Sequence, residues 1–542
     1  MFFNKRITLC AATASRAMAT VLFLGLITGC VANRPYRTQV TPLPEMPEGA
    51  SSSVASVQPP KTTYQRQSSG IVLSNGADRK YDLAYIEFDD MGEYWTIGDL
   101  TGQSNAVNDS QVERTVRLIQ IRQQEKNPLA VVTFIHGWKN NASPHDEDKD
   151  GNLKSFKHIM MGLAESDQSR HYIGVFVAWR GQVIPGNIFT SYWNRRGAAM
   201  RVGGPSMTEA LFRLMFVTKP PIAPTLENEC GRKTEETSTP ATIRDPVTGK
   251  GLAENAITGI DKKGDAAHRV AAKRSFARDR FVIVAHSFGA RVMERALSQP
   301  LMSLLYERQS EASSCIARWK ENHPNEAPPQ ISFQSPADLI TMINAANDSF
   351  ETKAMIEGMT RMGLVSCIDT KCSSAGASDA HPLIVSILSD GDWATKTVMP
   401  IAQRISYFEQ NLNRKYDRDP NEKGQIDEPK QRTFFLRNEG SVPQLISHTL
   451  NPDPKLPSLC VTEYPHFSNK KQCFTLQAKL ADAKHFVNRT PFWVFDVPTS
   501  VIAGHNGIFQ PATVELLRMM IKNAMDAKQQ LNLSIASKAE NL

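Results

Sequence analysis

Arg280–Leu297 reads RFVIVAHSFGARVMERAL, and its reading decides the fold. Four apolar residues, Phe281 to Val284, lead into Ala285, His286, Ser287, Phe288 and Gly289, after which Val292, Met293 and Leu297 recur at helical spacing rather than in alternation. The pattern predicts a strand, an abrupt turn and a helix, with Ser287 on the turn. Small residues on both sides of a serine at such a junction let the helix pack close to the strand, while the hydroxyl stands at the helix N-terminus. That placement suits a nucleophile. The bland reading of the same stretch is a buried strand followed by a polar helix cap, so the choice rests on the rest of the chain.

Working outward, Leu129–Ile135 (LAVVTFI) is a continuous apolar run of strand length, the pattern of a parallel strand buried on both faces. Tyr81–Phe88, Tyr172–Trp179, Leu339–Ala345, Leu383–Leu388 and Phe492–Val497 also read as strands. Between them, 110–124, 155–164 and the segment following Ser206 show helical periodicity. Ser206 with Glu209 has the spacing of a capping box, and a last helix is expected over Pro511–Asp526. This alternation predicts an α/β fold: a mostly parallel, doubly wound sheet with helices on both faces. Polar, breaker-rich stretches at Glu227–Gly264, Glu311–Pro336 and Asn411–Lys430 read as loops grafted on one sheet. Asp146, Asp148, Asp150 and Gly151 imitate a calcium loop, but Lys157 stands where its bidentate glutamate is needed, so no metal is expected there.

The elbow stretch resembles the G-x-S-x-G nucleophile elbow of the α/β-hydrolase superfamily, with Ala285 in place of the first glycine. The resemblance extends to His136-Gly137-Trp138, directly after the Leu129–Ile135 strand. It implies that the backbone N–H groups of Trp138 and Phe288 form an oxyanion hole. It also implies the chain order serine, acid, histidine. Beyond Leu388 comes Ser389-Asp390-Gly391-Asp392-Trp393-Ala394, where the spacing favours Asp392 over Asp390 as the acid; Asp348, after the preceding strand, is the third candidate. Either aspartate of D-G-D also fits an ordinary turn. His505, in Gly504-His505-Asn506-Gly507 between the last strand and the last helix, takes the histidine position. His136 reads as a packed histidine that shapes its turn, and His448, His466 and His485 lie where the catalytic base is not expected.

Near the start, Lys5, Arg6 and Arg16 precede the apolar run Ala17–Ile27, too short to span a bilayer. The run ends Ile27-Thr28-Gly29-Cys30, which resembles a bacterial lipobox. That resemblance implies removal of residues 1–29 as a signal peptide, lipid on Cys30 and, with Val31 rather than aspartate next, an outer-membrane destination facing the periplasm. Residues 30–79 are expected to be the lipidated terminus and a disordered tether, because 32–70 is rich in Pro, Ser, Thr and Gln. Residues 80–526 form the hydrolase-like domain, with insertions at 227–264, 311–336 and 401–480, and 527–542 a tail. No run of eighteen apolar residues occurs.

The 542 residues carry a formal charge of +7, and Lys5, Arg6 and Arg16 fall in the segment read as removed. The remaining excess does not indicate nucleic acid. Apart from Cys10 and Cys30, six cysteines remain: Cys230, Cys315, Cys367, Cys372, Cys460 and Cys473. An even set suits an oxidising compartment, with Cys367–Cys372 and Cys460–Cys473 as the local pairs; metal binding lacks paired C-x-x-C spacing. The function expected is a membrane-tethered serine hydrolase of carboxylic esters, lipid esters included, which needs no metal or organic cofactor. The competing class is a non-catalytic envelope lipoprotein using the same fold as a binding or scaffolding module.

Overall fold

The computed structural model describes residues 33–41, 43, 69–75, 80–101, 109–125, 127–144, 151–181, 188–219, 279–326, 332–333, 335–364, 382–407, 431–452, 459–462, 471–478, 490–526 and 531–532. The strands, in chain order, are β1 Ile71–Val72, β2 Tyr81–Phe88, β3 Leu129–Ile135, β4 His171–Trp179, β5 Arg280–His286, β6 Ser332–Phe333, β7 Leu339–Ile343, β8 Ile384–Ser389, β9 His448–Pro452, β10 Leu459–Thr462, β11 Lys471–Ala478, β12 Phe492–Val497 and β13 Leu531–Asn532. Eleven of them form one sheet in the order β1-β2-β4-β3-β5-β7-β8-β12-β9-β11-β10, while β6 and β13 pair separately. From β2 to β9 every neighbouring pair is parallel; β1, β10 and β11 add antiparallel edges. The α/β architecture expected from the alternation is therefore present, as a mostly parallel mixed sheet with helices.

The helices are α1 Ile97–Thr101, α2 Gln111–Gln123, α3 Asn152–Ser166, α4 Ile188–Val202, α5 Pro205–Thr218, α6 Phe288–Asn322, α7 Ser349–Arg361, α8 Met399–Tyr407, α9 Gln431–Leu436 and α10 Pro511–Asp526. Alternation along β3 builds two cores. Leu129, Val131 and Ile135 join Val112 of α2, Leu211 of α5 and Val292 of α6 on one face, whereas Ala130, Val132 and Phe134 join Phe156 of α3 and Leu517 of α10 on the other. Covered on both faces, β2 and β3 are buried throughout; β3 is apolar but for Thr133, while β2 also carries Asp82 and Glu87, each buried with hydrogen-bond partners.

Several expectations change. Glu311–Pro336 is not a loop over its first twelve residues: α6 runs unbroken to Asn322, because Ala312 and Cys315 are buried and the polar residues between them face solvent. The helix stops just before His323-Pro324, where the proline disfavours helical backbone at the preceding residue. The capping box does not form: Gly204 is the N-cap of α5 and Ser206 Oγ donates to Glu93 instead. The insertion 401–480 contributes α8, α9 and three strands that widen the sheet beyond β12. Within the segment read as tether, residues 36–41 and 69–72 pack on the domain. Polar composition misled here because the strap is held by hydrogen bonds to Glu87 together with a few scattered apolar side chains, Tyr36, Ile71 and Val72, too sparse to show as a hydrophobic pattern. Cys30, the signal segment, 227–264 and Asp146, Asp148 and Asp150 lie outside the described residues. Among the described residues no helix is long and apolar enough to cross a membrane.

Candidate active site

Parallel strands deliver their following loops to one edge of the sheet, and the three triad candidates come from the C-terminal ends of β5, β8 and β12. Ser287 joins β5 to α6 with φ 55° and ψ −123°, a left-handed backbone that a non-glycine residue adopts only under constraint. The constraint is visible. Ser287 N–H donates to Ile343 O at 3.1 Å, and Ala346 N–H donates to Ser287 O at 3.2 Å, tying the turn to the end of β7. Gly289 has to be glycine, since a Cβ there would stand 2.3 Å from Ile135 O and 2.6 Å from His136 O. The corresponding position on the strand side, Ala285, is fully buried and tolerates a methyl group.

His505 Nε2 lies 2.7 Å from Ser287 Oγ, and His505 Nδ1 lies 3.0 Å from each carboxylate oxygen of Asp392. Because the carboxylate can only accept when ionised, Nδ1 carries the hydrogen and Nε2 offers a lone pair to the serine hydroxyl. Burial pushes the Asp392 carboxyl up, but the hydrogen bond and charge of His505, with the Thr395 hydroxyl and N–H, hold it below the usual carboxylate range. Thr395 Oγ1 donates at 2.7 Å. Asp392 is thus an ionised, fully covered acceptor facing a partly exposed imidazole.

The rival acids are occupied elsewhere. Asp390 is exposed and paired with Lys396 Nζ at 2.9 Å. Asp348 caps α7 and is held by Arg291, Arg196 and Gln403. Between the two aspartates, Gly391 allows the acid loop to approach the histidine loop: a Cβ would meet Thr499 Cγ2 at 2.7 Å and Ala503 O at 3.1 Å. The Ser389 hydroxyl donates across the same gap to Ile502 O.

On the other side, the turn after β3 lies directly on the serine, where a Cβ at Gly137 would come within 2.7 Å of Ser287 Cβ. The adjoining Trp138 ring sits 6.2 Å from that of Phe288. Phe288 opens α6, and the first N–H groups of a helix have no intrahelical acceptor. His136 shapes this turn: its Nδ1–H donates to Gly137 O at 2.8 Å, its Nε2 accepts from Trp179 N–H at 3.0 Å, and burial pushes its pKa down to about 4. It is a neutral structural group.

Sequence reading missed the residues that hold the histidine loop. Asn344 Nδ2 donates to Gly504 O at 3.0 Å and to His505 O at 3.1 Å, while its Oδ1 accepts from Ser389 N–H at 3.0 Å. His286 Nε2–H donates to His505 O at 3.0 Å, and burial, then the neighbouring His505, push its pKa down to about 3. One signal was available for Asn344, a polar residue at the end of an apolar strand; its φ of 45° makes it, with Lys139 and Ser287, one of three non-glycine positive-φ residues among those described. All three follow strands at the same edge. His448 is buried against Ser447, and His466 and His485 lie outside the described residues. Among the described residues no group of three metal-ligating side chains occurs. No family model, curated protein or solved structure matches the chain.

Proposed function

We propose that this protein is a lipid-anchored serine hydrolase of the α/β-hydrolase type, acting on carboxylic esters at the bacterial outer membrane. The observation that carries the reading is the continuous line Asp392–His505–Ser287, each link at hydrogen-bond distance. His505 takes the Ser287 proton as Oγ attacks the acyl carbon, and Asp392 stabilises the imidazolium. The Trp138 and Phe288 amides receive the developing oxyanion. The alcohol leaves with the proton returned by His505, and water, deprotonated by the same imidazole, hydrolyses the acyl-enzyme to free acid and Ser287. The strained φ of Ser287 and the glycine at 289 support the elbow reading.

A fluorophosphonate probe is expected to label the purified protein on Ser287, and Ser287→Ala to abolish labelling and lower turnover by roughly a million-fold with an unchanged fold. Wild type that resists the probe, or a Ser287→Ala variant that keeps most of its esterase activity, refutes the assignment. For the anchor, Cys30→Ser is expected to lose incorporation of labelled fatty acid and to remain unprocessed. Equal incorporation in both removes the lipoprotein reading.

A further inference from the structure

Residues 36–41 form a strap whose direction is set by backbone register. Gln39 bridges Ser69 in parallel, Gly70 O accepts from Tyr85 N–H at 2.9 Å, and Ile71 pairs with Ala84 of β2 in antiparallel. The strap therefore runs against β2, and its first residues stand at the C-terminal end of that strand, the edge that carries Ser287. There the Glu87 carboxylate accepts from the Tyr36 and Arg37 N–H groups, both at 2.8 Å, a charge-assisted capture of main chain. Arg37 is 1% exposed, with its guanidinium 3.9 Å above the Tyr85 ring and Nε donating at 2.8 Å to Ala142 O, in the loop that follows β3. Asn33 and Arg34, just upstream, are exposed.

Arg37 lies seven positions after Cys30, so the chain between them reaches at most about 25 Å when fully extended. A lipid on Cys30 thus lies within that reach of the catalytic edge. The same edge holds four of the five large hydrophobic side chains exposed among the described residues: Met91 beyond β2, Phe350 at the start of α7 beyond β7, and Trp393 and Ile401 beyond β8. Met91 and Trp393 follow strands five places apart in the sheet, about 24 Å, with the β5 serine between them. Water has no use for such a rim; an acyl-chain and headgroup boundary does.

We propose that the strap is a short mount rather than a loose leash, and that it turns the Ser287 edge of the sheet towards the bilayer that holds the Cys30 lipid. The occupant of the apolar rim is that bilayer surface. The inference rests on lipid attachment at Cys30 and is independent of whether Ser287 is a nucleophile.

Met91 and Asn127, the latter exposed just before β3 at the opposite edge, are each replaced by azidophenylalanine and coupled to a fluorophore. The protein is mounted on phosphatidylethanolamine and phosphatidylglycerol vesicles containing nitroxide phospholipid. To separate this test from lipidation in the cell, residues 1–30 are also exchanged for a histidine tag on a nickel-chelating lipid. Quenching at position 91 is expected to exceed that at 127 several-fold with either anchor. Equal quenching, or stronger quenching at 127, overturns the proposal. A twenty-residue Gly/Ser insert before Asn33 is expected to erase the contrast; its persistence would remove the strap from the explanation and overturn the mount.

Discussion

At the residue scale, two aspartates two positions apart have opposite fates because of what surrounds them. Asp392 is covered and accepts from His505 and Thr395, whereas Asp390 is exposed and pairs with Lys396. Removing the charge at 392 while leaving its shape should impose the wrong imidazole tautomer, since an asparagine nitrogen cannot accept the Nδ1 hydrogen. Asp392→Asn is expected to lower turnover by roughly ten-thousand-fold with an unchanged melting temperature. Asp390→Asn removes only an exposed ion pair, worth about 1 kcal/mol at most, and should leave turnover near wild type. Steady-state kinetics of both variants on one short-chain ester decide between them: the reverse ranking moves the acid to Asp390.

At the element scale, the insertion after α8 behaves as added sheet. β10 and β11 are antiparallel and place Cys460 directly opposite Cys473, the arrangement in which two Cβ atoms come within about 5 Å. This register supports the pairing expected from their spacing. A Cys460–Cys473 disulfide should form in oxidised protein and contribute on the order of 3 kcal/mol by restricting the unfolded chain. Non-reducing peptide mapping should recover the two cysteines in one linked fragment. Free thiols at both positions would refute it.

For the whole molecule, the space between the sheet and α6 to α8 encloses charge as well as hydrocarbon. Glu439 is fully buried; Ser386 Oγ donates to its Oε1 at 2.6 Å, and the charges of Arg291 and Asp348 act on it in opposite directions. Burial, more than these partners, sets its pKa, which rises to about 7; the buried Glu294 carboxyl also faces it, and the two repel when both are ionised. The folded state then holds a proton that the unfolded state releases near pH 4.3. Stability contributed by this group is accordingly full below that value, falls as pH rises towards 7, and levels off above it. Glu439→Gln keeps the shape and cannot ionise. Its melting temperature should match wild type near pH 4 and exceed it by roughly several degrees at pH 8; thermal melts across that range showing a constant difference would exclude the assignment.

The sequence by itself determined strands β2 to β5, β7, β8 and β12, their mostly parallel sheet, and a chain order in which Ser287, an aspartate and His505 each follow a strand. Those features are written locally: continuous apolar runs report burial on both faces, and small residues report close approach, as Gly289 does against Ile135 O. It could not choose Asp392 over Asp390 from chemistry, because two identical carboxyls in one turn differ only in which distant groups reach them. Nor could it show that 36–41 docks, since the Glu87 carboxylate that binds it lies some fifty residues away. The same holds for Asn344, whose partners at 504 and 505 are brought in from another strand. Periodicity encodes which face of an element is covered; hydrogen-bond partners remote in sequence exist only once the sheet has assembled, and the tertiary structure alone decides among chemically equal candidates.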